Sequence, residues 1–291
     1  MSPGRRTAVA VRFVLVFVGM IWLAACAHAP AELSRHEERA RSADCCIDIE
    51  PERLPPWLIA SVEPAAPVIG RIIGNIVWRD GYLAREDARR RVEAELQPLD
   101  IIVVSSKGRL SGRTIPGLFG HVAVYLGNEA QLSRAGAWHD PRVAAHHAKL
   151  RAGRGFIEAD QHGVHLSRSS IVFNTDRVVI LRAAGLSAAR KRRAIGDFLD
   201  RVGTKFDFNF DNANTDRLYC AQLVCHVLPE LRIPSRGVYG RETIVPDEIV
   251  LKAARGRLPL RPVLYVRGRP DGWELASSKV LIEDLALTWR R

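Results

Sequence analysis

The chain has 291 residues, 47% of them apolar, enough for one large domain or two small ones with a real core. Its net charge of +11 falls to +8 (40 basic against 32 acidic residues) once the first 25 residues are set aside. That charge is scattered, and no C-x2-C…H-x-H spacing, glycine-rich phosphate loop or aromatic-interleaved basic stripe is present, which argues against nucleic-acid binding.

Arg5, Arg6 and Arg12 precede thirteen mostly apolar residues, Phe13 to Ala25. This is a charged n-region followed by an h-region too short to span a bilayer comfortably. It ends in Leu23-Ala24-Ala25-Cys26, which resembles the lipobox of bacterial lipoproteins. The resemblance implies that residues 1–25 are a signal peptide and that Cys26 is diacylated, tethering the mature chain to a membrane. Two acyl chains suffice for stable anchoring. Ala27, a residue other than Asp, implies by the same rule an outer-membrane lipoprotein facing the periplasm. The alternative is an uncleaved N-terminal anchor. Adjacent Cys45 and Cys46 cannot bridge each other without strain, though an oxidising periplasm permits a bridge to a distant cysteine.

Residues 26–64 read as a lipidated N-terminus and tether, polar first and then proline-rich (Pro51, Pro55, Pro56, Pro64). Residues 65–97 read as a helical extension. Val68, Ile69, Ile72, Ile73, Ile76 and Val77 recur at helical spacing opposite Arg71, Asn75 and Arg79, and such a helix packs on the domain or lies on a membrane surface. A second helix is expected over 85–96. The character changes at Pro98. Asp100 to Ser106 is a β-branched run and a buried strand, followed by a glycine-rich loop over 107–120. Strands are expected at His121 to Gly127, Phe156 to Asp160, Gly163 to Ser167 and Arg177 to Arg182. A helix is expected from near Pro141. Ser187 is placed to N-cap a long helix. Its run Arg190-Lys191-Arg192-Arg193 is a solvated face or a contact to anionic lipid or cell-wall polymer. A polar loop over 211–216 leads into a helix opening at Cys220, with a short helix from Pro246, a late strand at Val263 to Val266 and a helical tail in 271–291. Helices, then sequential strands, then helices make an α+β domain over 98–270.

Thiol hydrolysis needs a nucleophile, a base to take its proton, a group to orient the base and donors for the oxyanion. Cys220 sits at the start of a helix, where the peptide dipoles favour thiolate; the competing reading is a buried structural cysteine. His121 opens a strand and is suited to the base. Glu158 interrupts Phe-Ile-Glu-Ala and can hold the imidazole; the competing reading is a strand residue on the solvent face. Cys225 reads as core, His226 as structural, and His162 and His165 as substitute bases or cleft residues. Tyr125 and Tyr219 are aromatic core or oxyanion donors, though the Cys220 N–H is the more natural donor. No H-E-x-x-H spacing is present, and neither metal nor cofactor is expected.

The ordered set Pro-Leu-Asp-Ile-Ile (98–102), Gly-His-Val-Ala-Val-Tyr-Leu-Gly (120–127), Phe-Ile-Glu-Ala (156–159), Gly-Val (163–164) and Tyr-Cys-Ala-Gln-Leu-Val (219–224) resembles the circularly permuted NlpC-type papain-like amidases, YaeF/YiiX group, whose YaeF branch also consists of lipoproteins. In that family histidine precedes cysteine, the reverse of papain. The resemblance implies a permuted papain-like fold, a small antiparallel sheet packed against the helix carrying the Cys. It puts the nucleophile at Cys220, the base at His121 and the orienter at Glu158. Two positions depart from the family pattern: Leu99 stands where glycine commonly precedes the strand's Asp, and Ala221-Gln222 replace a Ser/Thr-Glu pair. Resemblance and compartment together imply a lipid-anchored cysteine hydrolase acting on peptide or amide bonds of the cell envelope, with peptidoglycan stem peptides as substrate. The alternatives are lipid acyl hydrolysis or transfer by the same triad, and a non-catalytic envelope-binding lipoprotein.

Overall fold

Four consecutive β-branched residues lie between Asp100 and Ser105, and they form strand β1 with every residue buried. Side chains that need cover on both faces put a strand in the middle of a sheet. The computed structural model describes residues 63–238 and 241–289; the leader, Cys26, Cys45, Cys46 and the tether up to residue 62 lie outside the described residues. β1 pairs antiparallel with β2 (His121–Tyr125). Outward from β2 run β3 (Phe156–Asp160) and β4 (Gly163–Ser167). On its other side β1 pairs with β5 (Arg177–Ala183), which is followed outward by β6 (Leu260–Arg269) and β7 (Gly272–Leu275). The result is a seven-stranded sheet of order β7-β6-β5-β1-β2-β3-β4, larger than the small sheet expected. Its last strand belongs to the segment expected as a helical tail. Arg269 pairs with Gly272 across Pro270-Asp271, residue types that close a tight turn.

Helices cover both faces. On one, Ile101, Val103, Val122, Val124 and Val179 pack with residues of α3 (Ala188–Leu199), α4 (Cys220–Val227), α5 (Pro246–Ala254) and α6 (Ser278–Trp289). The earlier helices of eight residues or more are α1 (Ala66–Asn75) and α2 (Glu86–Glu93), with a short helix at Pro141–Ala144 where one was expected. On the second face Ile102, Val104, Ala123, Val178 and Ile180 pack with Leu83, Ala88, Val92 and Leu96, so α2 is a core element. Each fully buried aliphatic side chain contributes about 1.5–3 kcal/mol. Ser187 caps α3 as expected, its hydroxyl accepting from Arg190 N.

The entry to β1 explains one departure from the family pattern. Leu99 has φ +71°, the left-handed region in which a glycine costs least. The leucine is held there because its side chain is buried and its N–H donates to Tyr125 O at 2.6 Å. Asp100 follows, fully buried, gripped by Arg182 through two bonds of 2.7 and 2.8 Å and by Gln97 N at 2.8 Å.

Candidate active site

Cys220 is the first residue of α4. Tyr219 precedes it in extended backbone (φ −99°, ψ 170°), so the chain enters the helix sharply and leaves the thiol at its open end. Gln222 secures that entry. Its Oε1 accepts from Tyr219 N at 3.3 Å, and its Nε2 donates to the carbonyls of Asn212, at 3.3 Å, and Asn214. A glutamate there would have no amide donor for those carbonyls.

His121 is the first residue of β2 and Glu158 the middle residue of β3. Ala123 lies opposite Glu158 in the register, so His121 and Glu158 share one sheet face, two positions apart along it. His121 Nε2 lies 2.6 Å from Glu158 Oε2. That occupies one ring nitrogen and leaves Nδ1 available on the side of the cleft that Cys220 lines. The electrostatics follow from these contacts. Burial alone would drive the proton off His121, but the bonds and charges of Cys220 and Glu158 outweigh it and raise the imidazole well above its ordinary value. Burial would likewise raise Glu158, yet the bond and charge of His121, helped by the Ser167 hydroxyl and His165, bring it down to about 2.

The other candidates fall elsewhere. Burial pushes the Cys225 thiol up to about 12, where it is not a nucleophile near neutral pH. His165 lies opposite Glu158 in the register, with Nδ1 3.0 Å from Gly163 O and Nε2 3.8 Å from Glu158 Oε1. The His162 ring neighbours His165 edge to face. Tyr125 OH donates to Gln131 Oε1 at 2.7 Å, and Tyr219 OH accepts from Ile244 N at 2.8 Å; both hydroxyls are thus engaged away from the thiol. Among the described residues no group of three or more His, Cys, Asp or Glu is placed to hold a metal ion.

Cys220, His121 and Glu158 open into one cleft of about 420 Å³. Its walls are largely apolar: Ile69 and Ile73 of α1, Ile115, and Phe206, Phe208 and Phe210. The three phenylalanines were not anticipated from the sequence, although Phe-Asp-Phe-Asn-Phe alternates apolar and polar residues with period two. They stack edge to face, Phe206 against Phe208 at 4.9 Å and against Phe210 at 5.8 Å, and Phe210 meets Tyr219 at 5.5 Å. Asp247 was also unforeseen. From α5 its carboxylate accepts from Leu118 N and Phe119 N, each at 2.7 Å, and from Trp289 Nε1 at 2.6 Å, so it anchors the loop that delivers His121.

A thiol at a helix start, sharing a cleft with an imidazole that a buried carboxylate holds, on an antiparallel sheet, is the arrangement of a papain-like thiol hydrolase. Here the histidine comes before the cysteine in the chain. A family model described as "Permuted papain-like amidase enzyme, YaeF/YiiX, C92 family" matches residues 95–255, just over half of the chain, and the chain belongs to that family. It is thus an enzyme of the cysteine amidase class. No curated protein and no solved structure matches it.

Proposed function

We infer that Cys220 is the nucleophile, His121 the general base and acid, and Glu158 the residue that orients and charges the imidazole. The observation that carries this is the His121 ring, bonded to Glu158 at 2.6 Å in the same cleft that Cys220 lines. With the proton on His121, the sulfur attacks the amide carbonyl and the Cys220 N–H meets the oxyanion. His121 then hands its proton to the leaving amine. The acyl group remains on sulfur as a thioester. Water, losing a proton to His121, attacks that thioester and releases the carboxylic acid. Glu158 stays ionised throughout and stabilises the imidazolium.

The substrates this reading assigns are peptide or amide bonds of the cell envelope, peptidoglycan stem peptides first. Cys26 would hold the enzyme by two acyl chains at the outer membrane, facing the periplasm. Lipid acyl hydrolysis or transfer by the same three residues is the second reading, favoured by the apolar walls at Ile69, Ile73, Phe206 and Phe208. Iodoacetamide labelling across pH, followed by mapping of the modified cysteines, tests the site. Selective modification of Cys220 below about pH 7, lost in His121→Ala, supports the pair; equal modification of Cys225 refutes it. Turnover of peptidoglycan fragments against phospholipids divides the two substrate readings. Incorporation of labelled fatty acid into the chain, unchanged in a Cys26→Ser variant, would refute the lipid anchor.

A further inference from the structure

α1 is apolar on two sides. Ala66, Ile69, Gly70, Ile73 and Gly74 recur at helical spacing and line the cleft. Its two glycines allow a close fit, since a β-carbon at Gly70 would collide with the Phe208 ring and one at Gly74 with Gln161. Polar contacts fasten both ends: Glu63 Oε2 to Arg241 Nη2 at 2.7 Å, and Asn75 Oδ1 to Gln161 Nε2 at 3.3 Å.

The opposite side faces outward. Val68 is 61% exposed and Ile72 57%. The patch continues past the helix through Ile76, Val77 and Trp78, the last 47% exposed. Six of the nine large apolar side chains left exposed among the described residues fall between positions 68 and 78. This concentration exceeds the scattered single exposures of an ordinary surface. The patch is mounted firmly, with Leu110 N donating to Ile76 O at 3.0 Å and Trp78 N to Gly108 O at 3.1 Å. Between Glu63, held by Arg241, and Asp80 the segment carries no carboxylate; Arg71 is exposed, Arg79 is paired with Asp176 at 2.7 Å, and the Arg113 guanidinium lies 5.0 Å from the Trp78 ring centre. Aliphatic side chains, a tryptophan and a cationic margin are the composition of an element lying in a membrane interface over anionic headgroups.

We propose that the outer side of α1 and residues 76–78 seat in the surface of an anionic phospholipid bilayer, so that the helix roofing the cleft is also the membrane contact. Charge complementarity selects this occupant, because Arg71 and Arg113 match phosphate headgroups while Val68, Ile72 and Trp78 match the acyl boundary. The contact lies outside the family-matched residues 95–255 and does not require Cys220 to be the nucleophile.

The test uses the full chain reconstituted in vesicles of phosphatidylglycerol and phosphatidylcholine, with and without brominated acyl chains. The Trp78 contribution to fluorescence is taken as the difference between the chain and Trp78→Phe. Bromolipid should quench that contribution by more than about half, with aqueous iodide excluded. Val68→Glu/Ile72→Glu should abolish the bromolipid quenching while iodoacetamide still modifies Cys220. Arg71→Glu, at an exposed position, should weaken it and serves if the double variant does not fold. Quenching of Trp78 by iodide but not by bromolipid would overturn the proposal. Shielding of Trp78 that grows with protein concentration in the absence of lipid would also overturn it, marking the patch as a contact between copies of this chain. Cys220→Ala should behave like the parent in this assay, so that failure here is distinct from failure of the amidase reading.

Discussion

Glu158 sets the pH behaviour of the proposed site through one bond. Its charge helps to hold His121 protonated, so the alkaline limb of kcat/KM should report loss of that proton well above the ordinary imidazole value. Glu158→Gln keeps the shape and removes the charge; it should lower kcat/KM about 100-fold and move the alkaline limb to lower pH, as a pH–rate profile would show. The same two groups link stability to pH. The raised imidazole contributes fully below about pH 6.5 and its contribution is lost as pH climbs through the folded value. The depressed carboxylate contributes above about pH 4.5 and is lost as pH falls toward 2. Glu158→Gln should therefore flatten the acid limb of Tm against pH, and an unchanged acid limb would contradict the coupling. His121, Glu158 and Cys220 were legible in the sequence because each is a polar group interrupting an apolar element. Asp247 was not, since its partners Leu118 and Phe119 lie far away in the chain and leave no local pattern.

At the level of elements, the two departures from the family pattern have local physical readings. Gln222 donates to carbonyls of the 211–216 loop, so Gln222→Glu would turn a donor into a second acceptor facing them. The expected cost is about 1–3 kcal/mol, read as a lower midpoint in urea. Leu99→Gly would relieve about 1–2 kcal/mol of left-handed strain but would vacate a buried site, whose loss costs more. The net expectation is destabilisation by about 2 kcal/mol in the same measurement. β1, β2, β3 and the start of α4 could be read from β-branched runs and breaks in polarity. β7 was missed despite its Pro-Asp-Gly turn, because Gly-Trp-Glu-Leu is a short, partly exposed edge strand with a weak apolar signal. Periodicity found α1 but could not choose its neighbour, because a helix apolar on two sides fits a cleft and a membrane equally.

For the molecule as a whole, the family-matched segment is not a folding unit. β6 pairs with β5 from Leu260 to Arg267, and α6 packs Leu281 and Leu285 into the main core. A chain cut after residue 255 should therefore lose cooperative unfolding in circular dichroism, leaving β5 as an open edge. Asp247 ties these late elements to the His121 loop and adds a pH term of opposite sign to that of Glu158. Burial, opposed by its three donors, raises its carboxyl to about 6. Its stabilising share is present below about pH 3.8 and is lost as pH rises to about 6. Relative to the parent chain, Asp247→Asn should gain on the order of 3 kcal/mol between pH 4 and 7, measured by chemical denaturation at both values. The third donor to that carboxylate is the Trp289 indole, on the same Oδ2 that holds Leu118 N. A substrate that displaces the loop on entering the cleft should disturb this shared carboxylate and with it the indole's hydrogen bond. Substrate addition should then change the emission difference between the chain and Trp289→Phe, and an unchanged difference would show the loop unmoved.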